Sequence, residues 1–187
     1  RLNANAKSPI SGGIGDSQSG GFFPAELKFA GFDGIVIKGK SEKPVYLAII
    51  EGKYELRDAA HLMGKLTGEV DDIIHKEVDP KAEILQYGIG AENGVLFSSL
   101  CSMSNRHNGR TGMGLVMASK NLKAVVVRGT KKVQLADQKA LVELNRTGPK
   151  ILPENGDMDG LAKFGTAVVV LFNNTLGTLP TRNYTEG

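Results

Sequence analysis

The feature that most limits what this chain can become is a pattern written twice. Residues 18–40, QSGGFFPAELKFAGFDGIVIKGK, and residues 107–130, HNGRTGMGLVMASKNLKAVVVRGT, follow the same course. Each runs from a polar residue through a glycine-containing loop into a short helix, then a β-branched strand, then a basic residue and a glycine. Setting Ile35 on Val125 gives an offset of 125 − 35 = 90 residues. Two copies of one unit commonly pack about a pseudo-twofold axis, and both glycine loops would then meet at that axis. Chance similarity between loop–helix–strand units is the competing explanation.

The rest of the chain fills in around this pair. Residues 1–21 are small and polar and predict a loop. Residues 22–31 predict a helix opened by Pro24, and Ile35–Ile37 a buried strand. Residues 45–59 read as a hairpin around Glu51-Gly52-Lys53. Apolar residues at helical spacing cover 59–78, with Thr67 as N-cap of the second part. Strands are expected over 82–90, 93–101 and 123–129, and a short helix over 112–120. From 134 the pattern turns helical: a helix over 134–148, a loop over 149–160, and a helical region over 161–177. The expectation is an α+β chain. A β-rich domain covers 1–133, lacking its own N-terminal part, and the truncated start of a helical domain covers 134–187. The start at Arg1 and the end at TRNYTEG read as those of a piece of a longer polypeptide.

Charge and cysteine content exclude several classes. Lys+Arg 23 against Asp+Glu 20 is too balanced for a nucleic-acid surface. No apolar run approaches membrane-span length and no signal peptide opens the chain, so a cytoplasmic protein is expected. The single cysteine, Cys101, excludes an intrachain disulfide. It also excludes an iron–sulfur cluster held by this chain alone, which takes about four thiolates.

The loops GGIGDSQSGG and NGRTGMG carry the chemistry. Backbone amides freed of side-chain bulk can point at phosphate oxygens, and Arg106 and Arg110 can pair with phosphate bidentately. Two such loops suit one ligand with two phosphates or two phosphorylated ligands. GRTGMG is not the dinucleotide spacing G-x-G-x-x-G, and no acidic residue closes the next strand for a ribose. Other polar and aromatic residues have plainer readings. His61 and His75 read as surface or satisfied core residues, and Asp71, Asp72 and Glu77 as a solvated helix face. Phe22, Phe23, Phe29 and Phe32 read as core, Lys7 and Lys28 as solvated, and Cys101 as a buried small residue.

GDSQSGGFFPAELKFAGFDGIVIKGKSEKPVYL, KSPISG, ELRDAAHLMGK, AENGV and above all GRTGMGLVMASKNLKAVVV resemble the N-terminal domain of the tungsten-containing aldehyde:ferredoxin oxidoreductases. KFGTAVVV and LPTRNY resemble the start of that family's second, helical domain. The resemblance implies a base that cradles two molybdopterin-type cofactors sharing one tungsten, or in some members molybdenum. Their phosphates are bridged by magnesium. Gln18 falls where the family has an asparagine whose backbone carbonyl helps hold the magnesium, with Ser19 and the loop glycine Gly20 after it. Arg106 and Arg110 fall on family arginines, His107 on a carbonyl-donating alanine, and Gly109 on a loop glycine. Arg1 falls on an arginine that contacts the cofactor. Gln18, His107 and Asn108 put new side chains beside the cofactor, and Thr111 replaces a glycine. A phosphate partner for the His107 ring and a solvent-facing ring are both open.

The activity implied is oxidation of an aldehyde with water to the acid, with electrons passing through a [4Fe–4S] cluster to ferredoxin. The cluster ligands and catalytic groups would lie beyond residue 187, so no catalytic residue is assigned; a homo-oligomer is compatible with the resemblance. A non-catalytic phosphate-binding fragment and a nucleotide-binding module are the alternatives.

Overall fold

In the computed structural model, which describes residues 1–186, the chain is α+β and divides into two compact units, 1–133 and 134–187. Unit 1 opens with a hairpin, β1 Leu2–Lys7 and β2 Ile14–Ser19, paired antiparallel with Leu2 opposite Ser19. A loop was expected here. The alternation that makes the strand uses small residues: Leu2, Ala4 and Ala6 pack on the core while Asn3, Asn5 and Lys7 face away.

Helix α1, Phe23–Phe29, follows with Pro24 at its start. Strands β3 Val45–Ile50 and β4 Lys53–Asp58 form the expected hairpin. Its turn residues Glu51 (φ 50°) and Gly52 (φ 84°) are both left-handed, which matches the strand twist. Next come α2 Thr67–Glu77, β5 Glu83–Tyr87 and the single turn α3 Ile89–Glu92. The last elements of the unit are β6 Leu100–Ser102, β7 Arg106–Asn108, α4 Met113–Ser119 and β8 Leu122–Arg128. The N-cap of α2 is Leu66, not Thr67, because Glu69 reaches back to the Leu66 N–H at 2.8 Å.

One six-stranded sheet runs in the order β4-β3-β8-β5-β6-β7, with β3 and β8 parallel and every other pair antiparallel. Both faces are covered. Helices α1 and α4 pack one face on Val125, Val127, Leu85 and Tyr87. Helix α2 packs the other on Val126, Ala124 and Ile84. That explains the unbroken apolar run of β8: alternate residues go to different cores.

Ile35–Ile37 is not the expected strand. Ile35 is half-buried and Val36 is exposed. The segment pairs with no strand: β3 and β8 are flanked on both sides, and it joins neither β4 nor β7 at the ends of the sheet. The 93–101 strand shortens to β6. Phe23 is buried and Phe32 half-buried as expected, but Phe22 and Phe29 are exposed.

Unit 2 is helical. Helix α5, Gln138–Ile151, is capped by Asp137, whose carboxylate accepts from the Ala140 N–H at 2.9 Å. It continues through Pro149 into the segment expected to be a loop. Helix α6, Gly156–Phe164, is capped by Asn155, and α7 spans Val170–Thr175. None of the described residues in this unit is buried. Among the described residues no helix is long and apolar enough to cross a membrane.

Candidate phosphate cradle

Strand β2 and strand β7 meet side by side, and small polar side chains bolt them together. Asn108, wholly buried, donates from Nδ2 to the Ser17 carbonyl at 2.7 Å and accepts at Oδ1 from Ser19 Oγ at 3.0 Å. The Arg110 N–H donates to Ser17 Oγ at 3.1 Å. Ser8 Oγ donates to the Thr111 carbonyl at 2.9 Å. Asn108 is therefore not a side chain beside a ligand; it joins the two glycine loops. Ser17 and Ser19 had a signal in the sequence, since DSQS alternates, but no cue distinguished their face as the buried one.

The two loops thus come together. Helices α1 and α4 start 113 − 23 = 90 residues apart. The strand expected at 35–37 in the first copy of the repeat is absent.

Around this junction lie the residues singled out in the sequence. Arg106, His107, Gly109 and Arg110 are exposed, as are Gln18, Gly20 and Arg1, while Ser19 is buried against Asn108. Arg1 sits one residue beyond the Leu2–Ser19 pair, at the end of the hairpin where Gly20 follows. A Cβ built on Gly20 or Gly109 would meet nothing within 4 Å, so both loops leave open space above their backbone. Among the described residues, no acidic group lies within ion-pair distance of Arg1, Arg106 or Arg110. Three free guanidinium groups beside open glycine backbone form a donor set for a multiply anionic ligand.

His107 differs from its neighbours. Cys101 stands opposite it and Gln86 opposite Cys101, so its ring shares the α2 face of the sheet. Arg106 and Asn108 leave by the other face. The ring lies 3.1 Å from Ser99 Oγ and 3.7 Å from Cys101 Sγ, and lines a cavity of about 320 Å³ with Thr67, Gly88 and Phe97. Cys101 is buried, and burial pushes its thiol pKa up.

Asp71 departs from expectation. It is buried, with its carboxylate accepting from Gln86 Nε2 at 2.6 Å and from Ser104 Oγ. Desolvation raises its pKa, opposed by those hydrogen bonds and by His75. Asp72 remains exposed. His61 pairs with Glu77, and His75 meets the Ala82 carbonyl at 2.9 Å, both as expected. Lys28 pairs with Asp33, while Lys7 is exposed.

Thr111 holds φ 63°, a conformation costly for a β-branched residue. Thr111→Gly is expected to stabilise unit 1 by about 1 kcal/mol, seen as a raised thermal midpoint. An unchanged or lowered midpoint would show that the Thr111 hydroxyl bond to the Arg110 carbonyl at 2.7 Å outweighs the strain.

Comparison with known proteins gives a consistent outcome. Residues 1–129 match the family model described as "Aldehyde ferredoxin oxidoreductase, N-terminal domain". The tungsten-containing aldehyde ferredoxin oxidoreductase of Pyrococcus furiosus is 44% identical over 189 aligned residues, covering 100% of this chain and 31% of that protein. The Pyrococcus abyssi protein of the same name is 45% identical over 97% of this chain and 30% of its own length. An aliphatic sulfonate oxidoreductase, WOR-like subunit, from Pyrococcus furiosus is 38% identical over 67% of this chain and 22% of its own. Among solved structures, the active site complex BamBC of benzoyl coenzyme A reductase with 1,5-dienoyl-CoA aligns with TM-score 0.78 and 38% identity. That alignment covers 83% of this chain and 24% of that one. The chain spans about a third of the length of the curated relatives it matches.

Proposed function

The chain belongs to the aldehyde ferredoxin oxidoreductase family, and from that membership together with the joined loops we propose that unit 1 cradles a paired-pterin tungsten or molybdenum cofactor. The observation that carries the reading is the pairing of two open glycine loops with three unpartnered arginines at one junction. The donor set fits the group: pterin phosphates are anionic, guanidinium groups bind them bidentately, and Gly20 and Gly109 admit a ligand close to the backbone.

Arg106 and Arg110 bind phosphate from the second loop, and Arg1 from the hairpin end. Backbone carbonyls of Gln18 and His107 would hold a magnesium ion beside the phosphates. Ser17, Ser19 and Asn108 orient the two loops toward one another. When bound, the metal centre supplies two-electron oxidation–reduction chemistry that no side chain of this chain can perform. In the complete protein, an aldehyde and water would yield a carboxylic acid, two protons and two electrons. A [4Fe–4S] cluster held outside this chain and ferredoxin would be the electron acceptors. The relatives are named for an aldehyde, a sulfonate and a dienoyl-CoA. A portion similar to all three is suited to a task that does not depend on the substrate, and substrate choice would lie in the rest.

The test is metal and pterin content of the complete protein purified without oxygen. About one tungsten or molybdenum with two pterins per chain is expected. Arg106→Ala should lower both about tenfold, since it removes a charge-assisted phosphate contact. Folded protein without heavy metal, or full cofactor in Arg106→Ala, would overturn the reading.

A further inference from the structure

Arg106 follows a turn that is costly to hold. Between β6 and β7, Met103 (φ 52°) and Ser104 (φ 54°) are both left-handed, and neither is glycine. Such residues persist only where the surroundings over-determine them. Two tethers do so here. Met103 Sδ accepts from the Phe22 N–H of the first loop at 3.3 Å. Ser104 Oγ donates to Asp71 Oδ2.

Asp71 sits in α2 between Val70 and Ile74, both wholly buried. A carboxylate in such surroundings is expensive unless it is hydrogen-bonded. Gln86, itself wholly buried on β5, is devoted to it: Nε2 donates to Asp71 Oδ1 at 2.6 Å and to the Thr67 carbonyl at 2.9 Å. Among the described residues, Gln86 Oε1 has no hydrogen-bond partner. A core that needed only packing would place apolar side chains at both positions. The arrangement instead runs from β5 through α2 to the turn that carries the arginine.

We propose that Asp71 is a positioning residue for the phosphate loop: through Ser104 it holds the β6–β7 turn so that Arg106 and the His107 carbonyl meet the ligand in one register. The inference rests on the cofactor-cradle reading given above. Asp71 touches neither ligand nor metal; it acts through Ser104.

Asp71→Ala strands Gln86 and is a poor test alone, because it can fail to fold. Ser104→Gly separates positioning from stability. Glycine takes φ 54° without strain, and that relief offsets the lost hydrogen bond to Asp71, each worth about 1–2 kcal/mol. In the complete protein, Ser104→Gly should therefore leave the thermal midpoint within a few degrees of the parent, about 5 °C at most, and yet lower pterin and metal content about tenfold. Amide exchange at residues 105–108 should speed up about tenfold. Arg106→Ala, measured in parallel, tells the two failures apart. If Arg106→Ala loses cofactor while Ser104→Gly retains it, the positioning role is wrong and the cradle stands. If Arg106→Ala retains cofactor, both fall. Unchanged exchange at 105–108 in Ser104→Gly also overturns the tether.

Discussion

Gly114→Ala will unseat the second loop and cost unit 1 about 3 kcal/mol or more, lowering the thermal midpoint by roughly 10 °C. Gly114 is the second residue of α4, and its N–H donates to the Ser98 carbonyl at 2.9 Å. A Cβ there would stand 2.4 Å from the Ser99 carbonyl oxygen and 2.8 Å from that of Ser98. Both obstacles are backbone, so no side chain can rotate away. Either α4 lifts from the 98–99 segment or that segment moves. Both routes shift the 109–112 turn, which α4 follows directly. The variant should therefore lose cofactor along with stability, unlike Ser104→Gly, which should lose cofactor with a much smaller change in midpoint. A midpoint within about 2 °C of the parent would mean the helix can slide, and the close approach would not be what fixes the loop.

The reading of the sequence succeeded where one residue's chemistry decides its conformation. Glu51-Gly52-Lys53 marked a hairpin turn, Pro24 opened a helix, and the KAVVVRG run announced a strand. It failed where the partner is distant. Leu2, Ala4 and Ala6 form a weak alternating stripe that becomes a strand only because β2 lies alongside. Ile35–Ile37 is rich in β-branched residues and stays irregular, since it pairs with no strand of either sheet. Asp71 sits in a run that reads Val-Asp-Asp-Ile. Nothing there says which aspartate faces Gln86, fifteen residues on, or Ser104, thirty-three residues on. Asn108 was legible as a polar loop residue and not as the bolt between strands β2 and β7, since its partners Ser17 and Ser19 lie about ninety positions away. The glycines and arginines of the candidate cradle were readable; the side chains that hold them in place were not.

Lys123→Ala is expected to destabilise unit 1 by about 3–5 kcal/mol, the cost of leaving a buried charge without its partner. Lys123 is wholly buried on β8. Its Nζ donates to Glu92 Oε1 at 2.5 Å and to the Tyr87 carbonyl at 3.1 Å, and lies 4.7 Å from the centre of the Tyr87 ring. Tyr87, pushed up to about 12 chiefly by burial, stays neutral and offers that ring face. Glu92 also accepts from the Gly64 N–H at 2.8 Å, so one carboxylate joins β8, α3 and the turn ahead of α2. Replacing the lysine leaves Glu92 beneath the sheet with a single donor. The asymmetry between breaking a pair and removing it makes the prediction sharp. Lys123→Met alone should be nearly as costly as Lys123→Ala, despite filling more of the space. Lys123→Met combined with Glu92→Gln should recover most of the loss, because the glutamine keeps an acceptor for Gly64 and carries no charge. Denaturation of the two single variants and the double variant measures the coupling directly. If the two single losses sum to that of the double variant, the ion pair is incidental to packing, and Lys123 contributes through its hydrocarbon stem alone. If the double variant recovers, the charge pair is what joins α3 to β8. It then also fixes the 93–99 segment against which Gly114 seats the second loop.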